Sequence, residues 1–361
     1  MTRILLTGGH AATTALSVIK ELKKTQKAEN IFWVGAKRAI EGSNVPTLES
    51  KIFPREGIKC YEIISGRIQR RFTRYTIVSL LKIPIGFVHA LFILLSIKPH
   101  VILSFGGYAA FPVVVLGYFL RIPVVIHEQT ITAGRANLFS AKFASKITLA
   151  RQESKKYFPN GIVIGNPLLP SLCKIAPKKE KPKKLTIYIT GGSRGSIPLN
   201  QTILKVIHEL LKKYNVIHQT GELGYDEVSL ARDKLSLKEK NSYQIYSTID
   251  PDCIHEIWQK ASIVIARSGA NTVAEVIATI TPAIFVPLPN TYNDEQTKNA
   301  FFAKKIGIAF VLPEDKLNPR NLLNLIGKID QNWLNMVQKV RKYKNFDFNA
   351  ASKLCEILLN F

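Results

Sequence analysis

Three short stretches of this sequence place glycines and hydroxyl side chains where a phosphate could be held: Thr7-Gly8-Gly9-His10, Thr190-Gly191-Gly192-Ser193-Arg194-Gly195 and Arg267-Ser268-Gly269-Ala270-Asn271-Thr272-Val273-Ala274-Glu275. Each follows a short apolar run and leads into a helical pattern. Glycine lets a ligand approach the main chain, and the first-turn N–H groups of a helix, unpaired within it, attract an anion. Ser193 adds a hydroxyl that can donate to a diphosphate. Glu275 stands about one turn inside its helix, where it could accept hydrogen bonds from both hydroxyls of a ribose, although an acid near a helix N-terminus is also favourable in its own right. The first stretch reads also as a tight strand-to-helix turn carrying a surface histidine. One such loop in each half of the chain suits a ligand held between two domains.

Asp250-Pro251-Asp252 matches the acidic pattern by which some sugar transferases hold a metal, but no further carboxylate or histidine cluster supports an oxygen-rich site. The simpler reading is an N-cap at Asp250 with proline at the first helical position. Cys60, Cys173, Cys253 and Cys355 are scattered without metal-ligand spacing, which predicts a reducing cytoplasm and no structural metal. Met1-Thr2-Arg3 runs directly into a strand-like segment, so no export signal is expected.

The elements that must position these residues form two series. Ile4 to Leu6, Ile31 to Val34, Val101 to Leu103, Val124 to Ile126 and Ile162 to Ile164 alternate with longer helical stretches, as buried parallel strands and crossover helices do. From Pro167 to Lys184, four prolines and six lysines exclude a helix or central strand. The alternation then resumes at Leu185 to Ile189, Val216-Ile217, Ile263 to Ile265, Ala283 to Val286 and Ile308 to Val311. A chain of 361 residues fits two domains. The expected architecture is α/β, two Rossmann-like domains facing an interdomain cleft. The boundaries are 1–166, a linker at 167–184, a second domain at 185–345, and a terminal helix at 346–361 that packs back on the first domain.

Fifty Lys and Arg against 26 acids give a formal charge of +24, which suits a polyanion or an anionic membrane, or simply a lysine-rich proteome. The basic residues lack interleaved aromatic stacking motifs, so nucleic acid is not an expected partner. The apolar segment Thr76 to Ile97 approaches membrane-spanning length, but Lys82, Pro84 and His89 interrupt it, and four arginines lie just before it at residues 67–74. A helix dipping into the headgroup region of an anionic membrane and a plain buried crossover helix both fit; a span would pull apart the strand that follows.

Taken together, Ser104-Phe105-Gly106-Gly107-Tyr108, Ile122 to Gln129, Ile164-Gly165-Asn166-Pro167, Gly191-Gly192-Ser193, Leu199-Asn200-Gln201, His218-Gln219-Thr220-Gly221, Arg267 to Glu275 and Asp294-Glu295-Gln296 through Ala300 closely resemble the MurG family, in order and over nearly the whole chain. That family moves N-acetylglucosamine from UDP onto lipid I during peptidoglycan synthesis. The resemblance implies a GT-B fold, no cofactor, and a peripheral enzyme on the anionic inner face of the cytoplasmic membrane, with UDP-N-acetylglucosamine and undecaprenyl-linked lipid I as partners. It implies that Ser193, Ile249, Ala270, Asn271, Thr272, Val273, Ala274, Glu275 and Gln296 contact the donor, Glu275 at the ribose and Gln296 at the sugar. Thr7, Gly8, Gly9 and Thr130 complete the donor set, while Gly106, Gly107 and Tyr108 meet the acceptor.

Three positions depart from the family pattern. The first loop is about two residues shorter, with Thr13 or Thr14 at the usual proline; Thr130 replaces asparagine; and Leu169 replaces an arginine near the donor. The implied reaction is an inverting in-line displacement with His10 as general base, and His127 or Glu128 next in line. A transferase acting on a different lipid, such as diacylglycerol, and a UDP-sugar 2-epimerase are the alternatives.

Overall fold

The computed structural model describes residues 2–9, 11–25, 28–36, 46–64, 66 and 74–361. It divides into two compact units: Met1–Pro170 with Phe346–Phe361, and Ser171–Asn345. His10 and the arginines at 67, 70 and 71 lie outside the described residues.

Unit 1 runs β1 (Thr2–Gly8), α1 (Ala12–Thr25), β2 (Ala28–Gly35), α2 (Leu48–Ile52), β3 (Lys59–Glu62), α3 (Arg74–Ile97), β4 (Val101–Ser104), α4 (Ala110–Phe119), β5 (Val124–Glu128), α5 (Arg135–Ser140), β6 (Lys146–Leu149) and β7 (Ile162–Val163). The short α6 (Pro170–Cys173) follows, which corrects the expectation that 167–184 holds no helix: Pro170 takes the first helical position, where its missing N–H is not needed. The strands form one parallel sheet in the order β3-β2-β1-β4-β5-β6-β7. Central strands are covered on both faces, so Ile4, Leu5, Leu6 and Ile102 appear in the sequence as unbroken apolar runs and are fully buried. Strands β3 and β6 escaped the sequence reading. Lys59–Glu62 is a half-exposed edge strand with two charged residues, and Lys146–Leu149 opens on an exposed lysine.

Helix α3 combines the two readings of its segment. Ala90, Ile93, Leu94 and Ile97 join the core beneath it with Val113 and Val114 of α4. Ile85, Val88, Phe92 and Leu95, spaced three, four and three residues apart, form a second stripe in which each side chain is at least half exposed. No described helix is long and apolar enough to cross a membrane.

Unit 2 runs β8 (Thr186–Thr190), α7 (Ile197–Lys213), β9 (Asn215–Gln219), α8 (Tyr225–Asp233), α9 (Leu237–Asn241), β10 (Tyr243–Tyr246), α10 (Ile254–Lys260), β11 (Ile263–Ala266), α11 (Ala270–Ala278), β12 (Ala283–Phe285), α12 (Glu295–Ile306), β13 (Ala309–Val311) and α13 (Pro319–Arg341). Its parallel sheet has the order β10-β9-β8-β11-β12-β13. Strand β10, Tyr-Gln-Ile-Tyr, was missed because an edge strand need not be apolar on both faces. Helix α10 begins at Ile254, which corrects the N-cap expected at Asp250. The Asp250 carboxylate instead accepts the Asp252 N–H at 3.0 Å, closing a turn ahead of the helix.

The proline- and lysine-rich segment is fastened to unit 2. Lys178 Nζ donates to Thr281 Oγ1 at 2.6 Å and reaches the Thr279 and Trp258 carbonyls, and burial lowers its pKa to about 8. Lys181 pairs with Asp330. The returning chain is fastened to unit 1: Asp347, fully buried, takes both terminal nitrogens of Arg151 at 2.6 and 2.9 Å and the Asn166 N–H at 2.8 Å. Helix α14 (Ala350–Leu359) then packs on α1.

Candidate active site

In unit 2, β8 and β11 are neighbours, yet the chain leaves β8 toward β9 and β10 on one side and reaches β12 and β13 on the other. Ligands of open α/β sheets bind where the strand order reverses in this way, beyond the carboxyl ends of the strands. The 191–196 loop and the Arg267-Ser268-Gly269 turn both leave from this point.

Gly269 caps α11 in an extended conformation, with no side-chain cap and no acid in the first turn. The helix supplies no acceptor for the N–H groups of its own first turn, at Ala270, Asn271 and Thr272. A Cβ built on Gly269 would meet nothing within 4 Å, so the space before these groups is open. Val273 and Ala274 are buried and anchor the helix to the core. Glu275 follows, and desolvation pushes its carboxyl up to about 8. At neutral pH it therefore carries a proton in the ligand-free protein.

Gln296 opens α12, and its side-chain oxygen accepts the Leu288 N–H at 2.9 Å. Its NH2 group is then the end left to present, which makes it a donor toward a sugar oxygen. Ser268 Oγ donates to the Gln296 carbonyl at 2.7 Å and Asn299 Nδ2 to the Ser268 carbonyl at 3.1 Å, joining the start of α12 to the turn before α11. Ser193 is exposed on the 191–196 loop, and Ile249 lies half-buried between β10 and α10.

Arg267 had no role in the sequence reading beyond belonging to its motif. Its guanidinium donates to the Val286 and Pro287 carbonyls at 3.1 and 3.2 Å, to Ser196 Oγ at 2.7 Å, and to Glu314. It thereby ties the 191–196 loop to the ends of β11, β12 and the segment after β13. Only long-range contacts reveal this.

In unit 1 the strand order reverses between β1 and β4, where Thr7 pairs with Ser104. Thr7, Gly8 and Gly9 gather there with Gly106, Gly107 and Tyr108. The Gly9 N–H donates to the Gly106 carbonyl at 3.0 Å, and a Cβ on Gly107 would sit 3.0 Å from the Gly9 nitrogen, so these loops touch main chain to main chain. The start of α1 is not the open anion seat that the sequence suggested. Glu49, buried on α2, places Oε1 2.9 Å from the Ala11 N–H and meets the positive end of the helix with its own carboxylate.

Thr130 is turned into the scaffold rather than toward these loops. Its N–H and hydroxyl lie 3.0 and 2.7 Å from Glu128 Oε1, with the hydroxyl also against the Thr132 carbonyl. Glu128 Oε2 accepts from the Gly134 N–H at 3.0 Å and from Asn137 Nδ2 at 2.9 Å. Burial raises the Glu128 pKa, while these bonds oppose the rise. His127 is fully buried beside Thr148 Oγ1 at 3.0 Å, and burial lowers its pKa to about 3. Neither is placed as an alternative base: one carboxylate is enclosed by donors and the imidazole faces the core. Leu169, where the family carries arginine, is buried.

The sequence matches the glycosyltransferase family 28 N-terminal domain over residues 7–149 and the family 28 C-terminal domain over residues 186–354. A UDP-N-acetylglucosamine--N-acetylmuramyl-(pentapeptide) pyrophosphoryl-undecaprenol N-acetylglucosamine transferase of Lactococcus lactis subsp. cremoris is 32% identical over 336 residues, 91% of each chain. The protein of the same name from Clostridium perfringens is 33% identical over 342 residues, 91% of this chain and 90% of its own. Among solved structures, Acinetobacter baumannii MurG superposes over 100% of both chains with a TM-score of 0.75 and 24% identity. A UDP-GlcNAc 2-epimerase from Neisseria meningitidis shares the fold with a TM-score of 0.64 at 13% identity.

Proposed function

The chain belongs to the MurG family of family 28 glycosyltransferases, with the GT-B fold, and from that premise we propose that it transfers N-acetylglucosamine from UDP to the muramoyl sugar of lipid I. The product is lipid II, a precursor of peptidoglycan. The observation that carries this reading is the meeting of the 191–196 loop with the start of α11, which has glycine at its N-cap and no acid in its first turn, at the strand-order reversal of unit 2, with Glu275 one turn inside.

The donor diphosphate faces the first-turn N–H groups of α11 and the Ser193 hydroxyl. These fixed dipoles supply the positive potential that a departing UDP requires. Glu275 accepts the ribose hydroxyls, Ile249 gives the nucleotide an apolar contact, and the Gln296 NH2 group donates to the sugar. The acceptor hydroxyl attacks the anomeric carbon in line with the leaving UDP, so the configuration inverts. His10 takes the proton. Gly106, Gly107 and Tyr108 contact the acceptor, beside Thr7, Gly8 and Gly9. Thr130 contributes indirectly, through Glu128, to the shape of its loop.

The enzyme works at the inner face of the cytoplasmic membrane without crossing it. The stripe of Ile85, Val88, Phe92 and Leu95 on α3 supports this, as does the excess of basic residues.

The test is purified protein with labelled UDP-N-acetylglucosamine and either lipid I or diacylglycerol in detergent. Label in lipid I alone supports the proposal; label in diacylglycerol alone replaces the acceptor; isomerisation at the sugar C2 without any acceptor identifies an epimerase. His10→Ala is expected to abolish turnover while leaving UDP binding nearly intact, and full retained activity would assign the base elsewhere.

A further inference from the structure

Two motifs, Leu199-Asn200-Gln201 and His218-Gln219-Thr220-Gly221, have no part in the site as described. In the fold they join. His218, near the end of β9, is fully buried, with Nδ1 2.9 Å from the Tyr243 hydroxyl and Nε2 3.0 Å from Asn200 Oδ1. Asn200, also buried in the first turn of α7, donates from Nδ2 to the Thr220 carbonyl at 2.9 Å.

The direction of every proton in this chain follows. A carbonyl can only accept, so the Asn200 NH2 group points at Thr220 and Oδ1 must be the acceptor for His218. His218 therefore carries its proton on Nε2, and Nδ1 accepts the Tyr243 O–H. Burial holds the His218 pKa down to about 3, so the imidazole stays neutral and keeps this one arrangement. It is a fixed strut rather than a base.

The strut ends on the donor loop. A Cβ on Gly195 would lie 1.9 Å from the Thr220 carbonyl oxygen, and one on Gly221 would lie 2.2 Å from the Gly195 nitrogen. Both glycines have φ near +77°, at 77 and 78, so the two turns are in main-chain contact and neither tolerates a side chain. Asn200 follows the loop directly at the start of α7, and its own N–H donates to the Ser196 carbonyl at 2.9 Å. From the opposite side Arg267 holds Ser196 Oγ.

We propose that His218 is a positioning residue for the sugar nucleotide: by orienting Asn200 it pins the Thr220 carbonyl, and through the contact of that carbonyl with Gly195 it sets the shape in which the 191–196 loop receives the diphosphate. This rests on the assignment of that loop to the donor.

The test compares wild type with His218→Leu, His218→Gln and Asn200→Asp by titration with UDP-N-acetylglucosamine and by steady-state kinetics with lipid I. His218→Leu removes the strut's N–H, and Asn200→Asp keeps the volume but turns a carboxylate toward the Thr220 carbonyl. Both are expected to raise Kd and KM for the donor by about tenfold while kcat changes by less than about threefold. His218→Gln, whose amide can donate from nearly the Nε2 position, recovers most of the loss. A merely structural role would lower thermal stability without this split between KM and kcat.

A folded His218→Leu or Asn200→Asp with wild-type donor KM overturns the proposal, as does a glutamine variant no better than the leucine one. If His218→Leu does not fold, Asn200→Asp and His218→Gln decide the matter by the same readings. A wild-type protein that binds no UDP-N-acetylglucosamine is a different result and sinks the donor-site assignment itself.

Discussion

Glu275 holds a proton that its proposed task requires it to lose. Its pKa is raised to about 8 by burial, whereas accepting two ribose hydroxyls calls for the carboxylate. Binding must then release a proton at neutral pH, so affinity for UDP is expected to rise about tenfold between pH 7 and pH 9 and level off above the pKa. Glu275→Gln should bind UDP weakly with no such slope. A flat profile in the wild type, measured by calorimetry, would remove Glu275 from the ribose. At this scale the sequence was informative where chemistry is local. Ser193, Gly269 and Glu275 stand in strand-turn-helix segments whose geometry follows from their own neighbours. Glu49, Arg267 and His218 act on residues 18 to 71 positions away, such as Asn200 for His218 and Ser196 for Arg267, and no short pattern records such contacts.

Among the elements, α1 and α11 look alike in sequence and differ in the fold. Both follow a glycine-bearing turn at a strand-order reversal, but a carboxylate from another helix, Glu49, meets the first, whereas the second has glycine at its N-cap and no acid in its first turn. Glu49→Ala leaves the Ala11 N–H buried without its acceptor and is expected to destabilise unit 1 by about 1–3 kcal/mol, with Glu49→Gln well below that. Urea unfolding would check it, and equal losses in the two variants would contradict a capping role. Helix α3 was legible as apolar, but periodicity could not say which faces it covers. Its outer stripe predicts that Phe92→Asp with Leu95→Asp lowers affinity for anionic lipid vesicles by about tenfold or more. Activity toward a detergent-dispersed acceptor should fall far less, and unchanged sedimentation with vesicles would reject the stripe as the contact. Strands β1, β4, β5, β8 and β11 could be read because burial on both faces demands apolar residues throughout; β3, β6 and β10 carry mixed patterns and could not.

Across the whole molecule, unit 1 is assembled from both sides of unit 2 in the sequence, and the Arg151–Asp347 pair fastens the returning chain. Asp347→Ala would leave a buried guanidinium uncompensated, with an expected loss of about 3–5 kcal/mol in the unfolding of unit 1. A loss below about 1 kcal/mol would show that α14 alone holds the return. The packing of α14 on α1 also bears on biosynthesis. The sheet of unit 1 leaves the ribosome first, yet α1 waits for its covering helix while the 175 residues Ser171–Asn345 of unit 2 are made. At roughly 5–20 residues per second that wait lasts about 10–35 seconds. The later-made unit is thus the first able to finish folding, and a chain ending at Asn345 and released from the ribosome should carry a protease-resistant unit 2 behind a unit 1 still open to cleavage and in need of a chaperone.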